Sequence, residues 1–304
     1  MLKAVGLSRH YGSVKAADNV SFTVEPGEIV GLLGHNGAGK TTVMKLLTGF
    51  IEPTSGEAWV DDILVQDDPV AAQAQIGYLP ESQPFYGEMS VADYLMFAAT
   101  MRGIPFEDRA ASVQKVVEDT DLAGRFLDTI GTLSRGFQQR VSVAQAILHQ
   151  PPVLILDEPT NGLDPTQTIQ MRELIQRLAE TSTVILSTHI MQEVDAICDR
   201  VLIMRDGELV VDERLDELNR AARIAVRSSA SREQLSNVTG LRVDTGVETD
   251  EYFLHVGSST DANAQINALV PKLVEAKVAI YGIQPERQDL ETLFARVSEG
   301  THAA

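Results

Sequence analysis

The segment Gly34-His35-Asn36-Gly37-Ala38-Gly39-Lys40-Thr41 matches the phosphate-loop pattern, in which glycine and four further residues precede Gly-Lys-Ser/Thr. It follows the apolar run Ile29–Leu33, which has strand length, and opens Gly39–Phe50, where apolar residues recur at helical spacing. Glycines let successive backbone N–H groups surround phosphate oxygens at a helix N-terminus. Lys40 can reach the β- and γ-phosphates, and the Thr41 hydroxyl can ligate Mg²⁺. The predicted ATP-binding residues of the loop are Gly34, His35, Asn36, Gly37, Ala38, Gly39, Lys40, Thr41 and Thr42.

A second apolar run, Val153–Leu156, ends in the adjacent acids Asp157 and Glu158. The carboxyl ends of parallel strands form the edge at which ligands bind in open α/β folds. Asp157 is predicted to hold Mg²⁺, directly or through water, which leaves Glu158 to act as general base on an attacking water. Together with the phosphate loop, this pair of acids predicts hydrolysis of a nucleoside triphosphate.

Strand-length apolar runs alternate with helical patterns over residues 1–212, which predicts an α/β domain with a mainly parallel sheet. A helical subdomain is expected at about 82–150, a connector helix at 213–221 within a charged pattern from Asp212 to Arg223, and a small C-terminal α+β domain at 222–304. The other predicted strands are Ala4–Leu7, Val20–Val24, Glu57–Val60, Ile76–Leu79, Thr183–Ser187, Ile224–Arg227, Tyr252–Val256 and Val278–Ile283. The other predicted helices lie within Ser90–Val117, broken at Gly103–Pro105, and at Gly136–His149, Thr166–Glu180, Ile190–Cys198 and Ala264–Ala276, and Cys198 is placed on a helical face with Val201.

Composition excludes several classes of function. The 304 residues carry 25 Lys+Arg against 43 Asp+Glu, a formal net charge of −18. A chain this acidic is a poor candidate for neutralising nucleic acid phosphates, so no nucleic acid partner is predicted. It lacks the run of about 18 apolar residues that a membrane span needs, and residues 1–10 lack the apolar stretch of a secretory signal. The single cysteine, Cys198, rules out an intrachain disulfide, which fits a reducing cytosol.

Further motifs accompany the phosphate loop and the acidic strand. Leu133–Arg140 resembles the signature segment of ABC-type ATPases, usually Leu-Ser-Gly-Gly-Gln, and Asn161–Asp164 resembles their D-loop. His189 resembles the switch histidine of that family, and Tyr11 matches the aromatic residue that stacks on adenine. The resemblance covers about Leu2–Asp212 and implies the P-loop NTPase fold of ABC ATPases with its helical subdomain.

Within that family the sequence is most similar to ATP-binding subunits of ABC-2-type exporters, whose permease is a separate polypeptide. Gly77–Glu81 and Asp289–Phe294 resemble the gliding-motility-type and nitrous-oxide-reductase-maturation-type members. The resemblance implies an ATP-binding and ATP-hydrolysing subunit that powers export, with membrane helices seated on Ser82–Gln150. It also implies a cytoplasmic location, peripheral on the inner face of the cell membrane through the permease.

The resemblance further implies two cassettes packed head to tail. Ser134 and Gly136 would then meet the γ-phosphate bound by the other chain, and Asp164 would also act in trans. His189 would contact the γ-phosphate and order the attacking water. Because Glu158, His189 and Ser134 are all present, a homodimer could supply both sites, while pairing with a different ATPase subunit is the alternative. ATP would close the dimer, and hydrolysis would release it.

The motifs depart from the family pattern at two places. Arg135 and Phe137 stand where Gly and Gln are usual in the signature, although its serine and second glycine remain, and we expect nucleotide contact to survive. Glu81 stands where most members carry the Q-loop glutamine. As a carboxylate it can still ligate Mg²⁺ beside Thr41 and Asp157, but its charge would change how the γ-phosphate is sensed. Gln83 is the alternative residue for that role.

Two other functions are compatible with a nucleotide site. A soluble ABC ATPase acting on ribosomes or DNA without a permease usually carries two cassettes or a long coiled-coil insertion, whereas this sequence has one cassette and no heptad run. A non-hydrolysing regulator is disfavoured by Glu158 and His189. In the C-terminal domain, His255 and His302 are isolated from other metal ligands, so no metal site is expected there. The resemblance to the family implies dimer contacts or regulation for this domain.

Overall fold

The computed structural model describes residues 1–82, 85–220, 222–246, 250–256, 262–287 and 290–298. Gln83, Asp289, His302 and the tail Thr301–Ala304 lie outside the described residues. The chain divides into two units, Met1–Asp212 and Glu213–Ala304.

The first unit alternates strands and helices, as the sequence predicts. Its strands are β1 (Leu2–Tyr11), β2 (Val14–Val24), β3 (Ile29–Leu33), β4 (Ser55–Val60), β5 (Ile63–Leu64), β6 (Ile76–Leu79), β7 (Val153–Asp157), β8 (Thr183–Thr188), β9 (Arg200–Arg205) and β10 (Glu208–Arg214). Its helices are α1 (Lys40–Leu47), α2 (Pro69–Ala74), α3 (Val91–Met101), α4 (Phe106–Asp119), α5 (Arg135–Ile147), α6 (Pro165–Ala179) and α7 (Met191–Ile197), with 3₁₀ turns at Ala123–Arg125 and Ile130–Thr132.

A six-stranded sheet in the order β10-β9-β3-β8-β7-β6 forms the centre of the unit. The pairs β3–β8, β3–β9, β7–β8 and β6–β7 are parallel, and every residue of β3, β7 and β8 is buried, because helices or a second sheet cover both faces. The registers place Leu33 beside Thr188 and Asp157 beside Ser187. Three strands therefore end together at one edge of the sheet.

The two faces of this sheet carry different layers. On one side α1 packs under a four-stranded antiparallel sheet in the order β2-β1-β4-β5, in a core that includes Leu7, Met44 and Ile155. On the other side α3, α4, α5 and α6 pack in a core that includes Leu95 and Leu156. The phosphate loop thus lies between the edge of the central sheet and the buried face of α1.

The region after β8 differs from the sequence prediction. Helix α7 ends at Ile197, Cys198 has extended backbone, and Val201 lies in β9, so the helical spacing of these residues was misleading. Residues 212–214, predicted as helical, lie in strand β10, and the connector helix begins only at Leu215. The charges that suggested a helix include Asp212, which accepts two hydrogen bonds of 2.5 Å from the Arg200 guanidinium on the adjacent strand.

The second unit is an α+β module. It comprises α8 (Leu215–Arg220), β11 (Ala222–Ser228), α9 (Arg232–Thr239), β12 (Val243–Thr245), β13 (Glu251–His255), α10 (Ala262–Glu275), β14 (Ile280–Arg287) and α11 (Leu290–Ser298). The antiparallel order β12-β13-β11-β14, with a helix in each crossover, is the split β-α-β arrangement of ferredoxin-like folds. Its core includes Val226, Leu254 and Leu273. Across both units, no helix among the described residues is long and apolar enough to cross a membrane.

Candidate active site

The phosphate loop runs from the end of β3 into α1. The Lys40 ammonium donates to the carbonyl of Gly34 at 2.7 Å and to that of His35 at 3.3 Å, so the side chain is folded back over the loop. Gly39 has φ +105°, and a Cβ there would lie 2.2 Å from the carbonyl oxygen of Ala16, so only glycine fits. Gly39 also has no side chain to cap α1, which leaves the first N–H groups of that helix able to meet an anion.

A cleft of about 560 Å³ opens over this loop. The loop contributes Asn36, Gly37, Gly39, Lys40, Thr41 and Thr42, and two predicted acids, Glu81 and Glu158, also line the cleft. Val14, Lys15, Ala16 and Asp206 line it as well, and sequence reasoning missed all four.

Tyr11 lies beside the cleft at the end of β1. It pairs with the cleft-lining Val14 across the β1–β2 hairpin, and half of its surface is exposed. The Arg9 guanidinium lies 4.7 Å from the centre of the Tyr11 ring. Residues that follow an aromatic residue in a tight hairpin lie close to it in space. The β1–β2 hairpin was therefore the sequence feature that could have identified Val14 to Ala16 as cleft-lining residues.

Asp157 is fully buried at the end of β7. Its Oδ1 accepts from the Ser187 hydroxyl at 2.5 Å and from the Thr41 hydroxyl at 3.4 Å. Its Oδ2 is buried and has no hydrogen-bond partner among the described residues. A buried carboxylate oxygen without a donor is costly, so this oxygen is suited to a cation or to water that a cation holds.

Glu158 occupies a strained position directly after the strand. Its φ is +52°, and its N–H donates to the hydroxyl of Ser187 at 3.0 Å and to the carbonyl of Ser187 at 3.1 Å. Its Oε2 lies 3.0 Å from Nδ1 of His189, and its Oε1 lies 3.7 Å from the Lys40 ammonium. Burial raises the pKa of Glu158, while His189 and Lys40 oppose that rise. A carboxylate with a raised pKa is suited to accept a proton from water.

The buried acid Glu193 links the segment that carries Glu158 to the segment that carries His189. Glu193, which is 2% exposed, accepts from the hydroxyls of Thr160 and Thr188, the latter at 2.7 Å. Thr160 lies two residues after Glu158, and Thr188 directly precedes His189. Sequence reasoning missed Glu193 and Ser187, because their roles depend on which strands are neighbours and on the register between them.

The predicted trans-acting residues lie apart from these groups. The described residues that line the cleft do not include Ser134, Gly136 or Asp164. Ser134 is exposed and precedes α5, and Gly136 is buried against the Gln167 side chain. Asp164 accepts from the Gln167 N–H at 2.9 Å and so caps α6.

No group of three or more His, Cys, Asp or Glu side chains within the described part of the chain could hold a metal by itself. Glu81 is exposed, and it also lines a neighbouring cleft of about 550 Å³ to which Thr41, Tyr78 and Asp157 contribute. Hard oxygen donors of this kind suit Mg²⁺, which binds few protein groups and keeps waters and phosphate oxygens as its other ligands. The residues present therefore fit Mg²⁺ carried with a nucleotide.

Known proteins resemble the chain in both sequence and fold. The sequence model of the ABC transporter family matches residues 17–161. The bacitracin transport ATP-binding protein BcrA of Bacillus licheniformis is 31% identical over 308 residues, which cover 99% of this chain and 98% of BcrA. A solved ATP-binding subunit of an ABC transporter is 30% identical, with TM-score 0.65 over 72% of this chain and 92% of that one. The dimeric structure of a bacterial ABC transporter cassette, 24% identical, has TM-score 0.65 over 71% of this chain and 99% of that one.

Proposed function

This chain belongs to the ABC transporter ATP-binding proteins, which are ATPases, and from that premise we propose that it powers an ABC-2-type exporter through ATP-driven dimer closure. The observation that carries the catalytic part is the placement of Glu158 between His189 and Lys40 at the mouth of the phosphate loop. The exporter class rests on similarity along nearly the whole chain to a protein named for bacitracin transport.

The phosphate loop is proposed to bind ATP. On binding, the Lys40 ammonium would exchange the carbonyls of Gly34 and His35 for β- and γ-phosphate oxygens, and the open end of α1 would add backbone N–H donors. Tyr11 is proposed to stack on adenine, since it stands exposed next to the cleft-lining hairpin.

Hydrolysis is proposed to use Glu158 and His189 together. Glu158 would take a proton from the attacking water, and its fixed backbone would hold the carboxylate at the cleft. His189, paired with the same carboxylate at 3.0 Å and 44% exposed, would orient the water and contact the γ-phosphate. Glu193 would keep the two residues in register through Thr160 and Thr188.

Mg²⁺ would be held by Thr41 and Asp157, with Glu81 as a further carboxylate. The unpaired Oδ2 of Asp157 supports this assignment, because Ser187 leaves that oxygen free while it fixes the other. When bound, Mg²⁺ neutralises charge on the phosphate oxygens. The role of Ser187 is to orient the Asp157 carboxylate before the nucleotide arrives.

The active form is proposed to be a dimer, with a homodimer preferred. Ser134 and Gly136 do not line the cleft of their own chain, which supports a role at the nucleotide of a second copy. The D-loop residue Asp164 would approach the same interface while it caps α6. A bacterial cassette of this fold has been solved as a dimer.

A separate permease is proposed to seat on the helical subdomain. The cleft of about 550 Å³ lies between α1 and that subdomain, with Tyr78, Glu81, Tyr94 and Gln145 among its lining residues. Because Glu81 lines both this cleft and the phosphate cleft, it could link nucleotide state to the membrane partner. The chain would then lie in the cytoplasm at the inner face of the cell membrane.

The central test is Glu158→Gln. The variant should still bind ATP, but its turnover should fall at least about 100-fold because the general base is lost, and a closed ATP-bound dimer should accumulate. Glu173→Gln, which neutralises an exposed acid in α6, is the matched control and should hydrolyse ATP normally. Normal hydrolysis by Glu158→Gln would overturn the proposed catalytic role.

The exporter assignment has its own test. Co-expression with any six-helix permease found encoded beside this reading frame should place the chain in the membrane fraction and stimulate its ATPase. Recovery with ribosomes instead would favour the alternative of an ABC ATPase that acts without a permease, which the similarities to BcrA and to a transporter subunit do not support.

A further inference from the structure

Arg135, the residue that departs from the usual glycine of the signature, has a defined position. It is the first residue of α5 and is exposed. Its guanidinium lies against Gly162 in the D-loop, where a Cβ would come within 2.3 Å of Cζ of Arg135. Gly162 also has φ +75°, so the position favours glycine for its backbone as well as for its contact. The Arg135 guanidinium therefore packs on the backbone of Gly162, which has no side chain to displace it.

The charge of Arg135 is unbalanced within the part of the chain that the structure describes. No ion pair or hydrogen bond of its guanidinium occurs among the described residues, although the sequence carries a net charge of −18. Arg135 begins α5, where the helix dipole disfavours a cation, and no acid in the first turn offsets that effect. An anion that approaches this helix end would remove the unfavourable interaction.

We propose that Arg135 contacts the terminal phosphate of ATP bound by a second copy of this chain, with Gly162 as the surface that positions the guanidinium. The inference rests on the proposed head-to-tail dimer, in which Ser134 and Gly136 reach the partner's nucleotide. Arg135 lies between these two residues in sequence and does not line the cleft of its own chain. A guanidinium near the γ-phosphate would stabilise both the closed dimer and the charge that develops during phosphoryl transfer.

The test uses the full chain carrying Glu158→Gln, so that ATP-bound dimers persist. Dimer dissociation constants in ATP and Mg²⁺ are measured by analytical ultracentrifugation for this parent and for added Arg135→Ala, Arg135→Lys and Lys115→Ala. Lys115 is an exposed cation on α4 and serves as the control for loss of one positive charge. The affinity of the monomer for ADP, which lacks the γ-phosphate, and the thermal midpoint without nucleotide are measured in parallel.

Arg135→Ala should weaken the ATP-bound dimer by roughly tenfold or more, because a charge-assisted contact is lost. Arg135→Lys should recover part of that loss, and Lys115→Ala should show none. ADP affinity should not change, and the thermal midpoint should stay level or rise, which a purely structural arginine would not allow.

Two results would overturn the inference. If the parent dimerises and Arg135→Ala dimerises equally well, Arg135 does not act at the partner's nucleotide although the proposed dimer stands. If ADP affinity falls together with dimer affinity, the arginine acts within its own chain. A parent that stays monomeric in ATP would instead show that the proposed dimer itself is wrong, and the inference would fall with it.

Discussion

Ser90 and Ser134 stand at the same place relative to two helices and do different things. Each precedes its helix in extended backbone, with φ −70° and ψ 160° at Ser90 and φ −62° and ψ 157° at Ser134. The Ser90 hydroxyl accepts from the Asp93 N–H at 3.1 Å and donates to the Asp93 carboxylate at 2.6 Å. The Ser134 hydroxyl makes no such cap to α5 within the described structure.

One difference lies at the third residue of each helix. The Asp93 carboxylate accepts from the Ser90 hydroxyl and so fixes that hydroxyl beside the Asp93 N–H, whereas the Phe137 side chain offers Ser134 no such acceptor. The start of α3 is therefore closed by its own side chains, and the start of α5 remains open, like the start of α1 at the phosphate loop. Open helix ends present N–H groups and a positive dipole end, which suits them to bind phosphate.

The largest effect is expected at the open end of α1. Lys40→Ala removes the cation that starts this helix, and kcat should fall about 10²- to 10³-fold through lost stabilisation of phosphate charge. The thermal midpoint should change little in comparison, because among the described residues the ammonium contacts the loop carbonyls of Gly34 and His35 and the Glu158 carboxylate. Steady-state ATPase assays and thermal unfolding check both statements. If Lys40→Ala loses stability together with activity, Lys40 has a structural role, and the N-terminus of α1 is not an end left open for phosphate.

The pH dependence of kcat is a second property of this site, because Lys40, at the open end of α1, lies near the buried Glu158. Burial raises the pKa of Glu158, and the charge and hydrogen bond of His189 lower it. Below its pKa the carboxyl group is protonated and cannot accept a proton, so activity falls as pH falls through that value. His189→Ala should therefore move the acid limb of the kcat profile to higher pH. Residual kcat measured across the acid and neutral range checks the shift, and an acid limb displaced to lower pH would contradict it.

Ser134→Ala tests the open end of α5. Its hydroxyl is proposed to contact the phosphate bound by a second copy, so the ATP-bound dimer of the Glu158→Gln chain should weaken by about tenfold. Stability without nucleotide should be unchanged, since this serine does not cap its helix. Ultracentrifugation with ATP and thermal unfolding without it separate the two effects. A lower thermal midpoint would place Ser134 with Ser90 as a structural cap.

The sequence predicts the elements around these helix ends better than the contacts between them. Apolar runs locate β7 and β8, and the residues that follow them, Glu158 and His189, were predicted to act together. The alternation of strands and helices indicates a parallel sheet, but their meeting at 3.0 Å also requires that β7 and β8 are neighbours in it. Strand β9 escaped prediction, because its buried residue Val201 also fits the helical spacing of the segment before it.

Contacts that depend on register or on packing across distant segments could not be predicted. Ser187 meets Asp157 only because β7 and β8 pair in one particular register. The hydrogen bonds from Thr160 and Thr188 to Glu193 require a buried carboxylate. Composition alone would place a glutamate at the surface. The packing of Arg135 on Gly162 joins segments whose separation in sequence carries no signal of contact.

The smallest effect is expected at the closed end of α3, and it completes the comparison. Ser90→Ala removes a side-chain cap, which should lower the free energy of unfolding by about 1 kcal/mol. For a unit of this size the thermal midpoint should drop by roughly 2–4 °C. ATPase activity and ATP-driven dimerisation should stay at the parent level, because the hydroxyl is engaged with Asp93 and lies in no proposed nucleotide contact. Thermal unfolding, ATPase assays and ultracentrifugation with ATP on the same preparation check these expectations. A loss of dimerisation without a loss of stability would mean that helix capping does not distinguish Ser90 from Ser134.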